Sequence, residues 1–105
     1  HVIAFEREDG APCGRFQIAY GKAHGCVMLG IGGRALMARA EAQPYFVAAL
    51  SGAFSGQLVP VPGGVLARDT SGALVGAVGV TGDTSENDAA AALAGLAAVG
   101  LHGEA

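Results

Sequence analysis

The run Gly76-Ala77-Val78-Gly79-Val80-Thr81-Gly82, followed at once by Thr84-Ser85-Glu86-Asn87-Asp88, narrows the possible folds more than any other stretch of the chain. Valines interrupted by glycines read as a strand that another backbone approaches closely, because no Cβ stands in the way. The strand leaves through a small-residue turn and passes directly into a helix, with Thr84 or Ser85 as N-cap and Glu86 and Asp88 near the positive helix end. Such a corner aims unpaired backbone N–H groups at a ligand or a neighbouring subunit. Asp83, Glu86 and Asp88 also crowd it with negative charge and speak against a bare phosphate there.

Working outward from this corner, Asp69-Thr70-Ser71-Gly72 is a hairpin turn joining Val65–Arg68 to Ala73–Val80. The final helix is expected over Ser85–Val99. Upstream, Phe16, Ala19, Tyr20, Ala23 and Val27 recur at helical spacing within Gly14–Leu29, and the glycines at 30, 32 and 33 end that helix. Arg34–Glu41 reads as a short second helix, and Pro44 restarts the helical path near a first turn. Ser51–Gln57 reads as a small-residue loop. Leu58–Leu66 reads as an edge or bent strand broken at Gly63-Gly64, given its prolines. His1–Arg7 alternates as a strand and ends at the turn signal Glu8–Pro12. The sum is an α+β (layered α/β) domain, an antiparallel sheet with helices packed against it, in the order β, α, α, β, β, α.

Composition bounds the function. The chain has 105 residues, room for one small domain, and 51% of them are hydrophobic against 14% charged. That leaves too little polar surface to cover a monomer, so a homo-oligomer is expected. Six scattered Lys and Arg residues and a net charge of −3 exclude a nucleic-acid surface. The uncharged stretch Ala89–Leu101 is too short to span a bilayer, and no signal-peptide pattern is present. Cys13 and Cys26 lack a CxxC spacing and read as reduced thiols of a cytoplasmic protein. The chain opens on His1 inside a strand-like run, so an incomplete copy of a domain is expected.

The motifs Phe5-Glu6-Arg7 with Asp9-Gly10-Ala11, Ala19 with Lys22-Ala23, Gly63-Gly64, Gly76–Gly82 and Asp88 stand in an order that resembles the GlcG-like family. That family includes the C-terminal domain of PduO-type proteins and haem-binding sensor proteins. The resemblance covers nearly the whole chain and implies a compact α/β subunit that assembles into dimers or larger rings. Several members bind haem or a corrinoid-related ligand. It further implies a single domain over residues 1–105 lacking the family's usual N-terminal helix and first strand, which an upstream polypeptide would complete.

On that resemblance Phe5, Asp9, Lys22, Gly63, Gly64, Thr81 and Asp88 are the candidate binding residues for haem or another small cofactor. A lysine in an apolar helix pairs with a carboxylate or a propionate, or snorkels to solvent. Glycines 63 and 64 let backbone approach a flat ligand, or form a tight turn. Two other classes compete. One is an enzyme acting on a small carbonyl or hydroxy-acid metabolite, with Lys22 and Asp9 or Asp88 in acid–base roles. The other is a structural or accessory subunit of a larger assembly. No HxxxH, HExxH or His/Cys spacing supports a metal site, and His24, Cys26, Met28, Tyr20 and Tyr45 read first as surface or core residues.

Overall fold

A computed structural model describes all residues from His1 to Ala105. Helices α1 (Arg15–Leu29), α2 (Gly33–Ala42) and α3 (Pro44–Ala53) precede a hairpin of β1 (Gly64–Arg68) and β2 (Leu74–Gly79). Helix α4 (Ser85–Ala98) and a short strand β3 (His102–Glu104) follow. The sheet is antiparallel in the order β2-β1-β3, so the fold is α+β with helices packed on a small sheet. None of the helices is long and apolar enough to cross a membrane.

Local chemistry accounts for most boundaries. Gly30 closes α1 in a left-handed conformation (φ 70°), and its N–H donates to the Cys26 carbonyl. Pro44 stands in the first turn of α3, and that helix runs to Ala53, into the stretch expected to be a loop. The hairpin turn is built by Asp69, whose Oδ1 accepts from the backbone N–H groups of Ser71 and Ala73 and from the Ser71 hydroxyl. Those bonds, the Ser71 hydroxyl first, hold its carboxyl below the ordinary range. The favourable linkage is therefore present above the unfolded carboxyl's pKa and fades as pH falls through the folded value. Thr84 caps α4, its hydroxyl accepting from the Asn87 N–H at 3.2 Å.

The sheet lies between α1 and α4. Along β1, Val65 and Ala67 face α4 and bury with Ala92 and Leu96, while Gly64 presses on α1 against the Lys22 carbonyl and Cys26. A second core, Leu36, Val47 and Leu58, joins α2 and α3 to the segment before β1.

Three expectations are corrected. His1–Arg7 forms no strand: it lies extended and exposed and makes no backbone hydrogen bond. Alternation alone does not make a strand without an edge to pair with, and this segment stands apart from β2 across a groove. Residues 102–104, which the expected order β, α, α, β, β, α leaves without an element, pair with β1 because Gly103 fits against Val65, Leu93 and Leu96. Last, the apolar stripe of α1 is not its core face. The buried residues are Gly21, Lys22, Gly25 and Cys26, while Phe16, Val27 and Met28 stay exposed. Small residues let α1 approach the strands closely.

Candidate functional site

The corner that dominates the sequence is closed by a buried ion pair. Lys22 rises from the inner face of α1 and donates to Asp88 Oδ2 and to the Val80 carbonyl, both at 2.9 Å. Both residues are 3% exposed. Asp88, in the first turn of α4, also accepts from the Asp83 N–H through Oδ1 at 3.0 Å. One carboxylate thus ties together α1, the exit of β2 and the start of α4.

Gly63 is shaped to this lock. Its φ of 112° disfavours any side chain, and a Cβ there would stand 2.8 Å from Lys22 Nζ and 2.6 Å from the Val80 carbonyl oxygen. Gly64, its neighbour, is register-paired with Gly79, and both lie under the α1 backbone. The other two glycines of the opening motif have open space around them, so close packing belongs to Gly79 alone.

The sequence candidates therefore divide. Lys22, Gly63 and Gly64 sit inside the lock and line no cavity. Phe5, Asp9, Thr81 and Asp88 come together along an elongated groove between the N-terminal segment and the outer edge of β2. Since Lys22 already donates to two buried acceptors, it has no free approach to a ligand, and the acid–base arrangement built on Lys22 has no open site.

The groove has two characters. Its polar end carries Arg7, Arg15 and Thr81 among several carboxylates, including Glu6, Glu8, Asp9 and Asp83. Arg15 Nη1 donates to Thr81 Oγ1 at 3.1 Å, and Arg7 donates to the Ala11 and Pro12 carbonyls that close the turn. The carboxylates outnumber the guanidiniums, so this end is no site for a free anion. The other end, about 940 Å³, lies over the outer face of α1, with His1–Phe5 as one wall and Val75–Gly79 as the opposite wall.

Composition alone gave little hint of the floor of this apolar end. Phe16, Tyr20, His24 and Met28 recur at four-residue spacing on one face of α1. Phe5 meets Phe16 edge-on at 4.8 Å, Phe16 stacks on Tyr20 at 5.9 Å, and Tyr20 stacks on His24 at 5.3 Å. Met28, expected in the core, is 51% exposed here, and Tyr45, also expected in the core, is 73% exposed on α3.

Neither cysteine lines the groove. Cys26 is fully buried beneath α1, and burial pushes its thiol up to about 11, so it stays protonated at neutral pH. Cys13 is an exposed free thiol in the first loop.

Comparison with known proteins gives one finding. The family described as haem degrading protein HbpS-like matches residues 1–97. Neither the curated proteins nor the solved structures contain a match to the chain.

Proposed function

The chain belongs to the HbpS-like family, and from that membership we propose that it is a small haem-binding domain whose ligand lies in the groove between residues 1–12, α1 and β2. The carrying observation is the apolar end of that groove, where aromatic side chains from α1 and Phe5 form a continuous exposed face. A tetrapyrrole is broad, flat and apolar, which the aromatic end of the groove matches, and its propionates would turn to solvent, away from the carboxylate-rich end. Phe16, Tyr20 and Phe5 would hold the ring. Bound haem supplies iron for redox or gas chemistry. The chain's contribution is to bind it, orient it and limit the water around it. Kinship to GlcG-like and PduO C-terminal-type domains, and a cytoplasmic setting, belong to the same proposal.

Titrating the chain with hemin tests this. Saturable binding near one equivalent per chain, with a displaced Soret band, is the expected result. A linear, unsaturated change like that of hemin with an unrelated apolar protein would reject it.

A second reading rests on the open edge of β2. Residues 1–5 lie beside 75–79 and residues 4–12 beside 78–83, so the two walls run in the same direction. One additional strand between them would be antiparallel to both, the stronger pairing mode. On this reading the domain is an accessory or oligomeric subunit whose sheet is completed by a second copy or an upstream polypeptide. Amide exchange separates the two. The chain alone should exchange the outward amides of β2 quickly, and protection gained with a second polypeptide but not with hemin would favour strand completion.

A further inference from the structure

We infer that His24 is the axial iron ligand of this domain, an assignment that rests on the haem reading above. Its Nδ1 lies 2.8 Å from the Gln57 backbone carbonyl. A carbonyl only accepts, so in the neutral ring the proton resides on Nδ1 and the lone pair on Nε2. Iron-ligating and zinc-ligating histidines are arranged in this way, the second nitrogen donating to a carbonyl that fixes tautomer and ring orientation.

The ring itself is held on two sides. Tyr20 stacks on it with planes 23° apart, and Phe54 meets it edge-on at 6.2 Å. Nε2 has no hydrogen-bond partner in the protein, and the residue lines the apolar end of the groove. A residue needed only to fill the gap between Tyr20 and Phe54 would be served by phenylalanine. Imidazole adds a lone pair with a fixed tautomer, set among aromatic side chains that suit a porphyrin face. Met28, one turn further along α1, shares that face. Two residues on one helix face approach a flat ligand from the same side, so they compete for one coordination position. Of the two, His24 is the preorganised ligand, since nothing orients the half-exposed Met28 thioether.

Hemin binding to the wild-type chain, His24→Ala and Met28→Leu, read by absorption and electron paramagnetic resonance, tests the assignment. Wild type should show an imidazole-type ligand field, and its ferrous form should give an iron–imidazole stretch in resonance Raman. His24→Ala should lose that signature and bind hemin at least about tenfold more weakly, and added imidazole should restore the spectrum. Met28→Leu should keep the iron–imidazole stretch, whatever it does to affinity, because the thioether is not the ligand. An unchanged spectrum in His24→Ala, or a wild-type complex without the iron–imidazole stretch, overturns the assignment while leaving the haem reading intact. Absence of saturable binding in wild type overturns both. His1 also lines the groove, so His1→Ala is read beside these variants: it should keep the iron–imidazole stretch, and loss of the stretch there would overturn the assignment even if His24→Ala folds poorly.

Discussion

Replacing Lys22 with alanine is expected to lower the stability of the domain by about 3–5 kcal/mol, because it leaves the Asp88 carboxylate buried without its cation. Domains of this size have roughly 5–15 kcal/mol in total, so the variant should melt about 15–30 °C lower or fail to fold at physiological temperature. Asp88→Ala should be similarly damaging, since it strands the Lys22 ammonium and also releases the Asp83 N–H. The informative partner is the double variant Lys22→Met with Asp88→Asn. It removes both charges and keeps an oxygen for Asp83, so it should recover most of the loss. Thermal melts followed by circular dichroism decide the matter. A Lys22→Ala protein as stable as wild type would mean that the pair is dispensable and would return Lys22 to the list of ligand-facing residues.

The second large effect is expected at Gly79. A Cβ there would be driven into the Ala19 carbonyl oxygen, well inside van der Waals contact, and no flexible side chain can give way. Overpacking against side chains usually costs about 1–3 kcal/mol, and a clash with helix backbone should exceed that, at roughly 3 kcal/mol or more. Gly64→Ala should behave alike, with its Cβ 2.5 Å from the Lys22 carbonyl oxygen and 2.6 Å from the Cys26 sulfur. Gly76→Ala is the contrast: nothing lies within 4 Å of its Cβ, so it should fall within about 0.5 kcal/mol of wild type. Urea midpoints of the three variants read the difference directly. Equal costs at Gly76 and Gly79 would contradict close packing of α1 on the hairpin.

These two predictions mark what was legible in the chain. The hairpin and α4 were readable because their signals are local: Asp69-Thr70-Ser71-Gly72 makes its own turn, and Thr84 caps its own helix. Lys22 and Asp88 were each conspicuous, but they are 66 residues apart, and nothing local says that they meet. The same limit hid β3, a three-residue strand whose position depends on Gly103 fitting against α4 and β1. His1–Arg7 erred the other way. Its alternation is genuine, yet pairing is a property of two segments, and β2 stands across a groove from it.

The helix α1 inverted an ordinary rule. An apolar stripe usually marks the core face, but here small residues and one paired lysine face the sheet. The aromatic stripe is left for the groove. His24 was set aside as a surface residue because its significance comes from the Gln57 carbonyl, a backbone group no side-chain pattern reveals. The family motifs serve two places: Lys22, Gly63 and Gly64 build the lock, while Phe5–Arg7, Asp9–Ala11 and Val78–Gly82 line the groove beside it.

The central claim is that ligand chemistry belongs to the groove and not to the lock where Lys22 meets Gly63 and Gly64. Nitrogen-15 amide spectra of the chain titrated with gallium protoporphyrin IX, a diamagnetic analogue of haem, test it most directly. Saturable shifts should centre on Phe5, the Phe16–Met28 face of α1 and Val75–Gly79, with α2 and α3 nearly silent. Shifts centred on Gly63 and Gly64, or spread over α2 and α3, would contradict the claim.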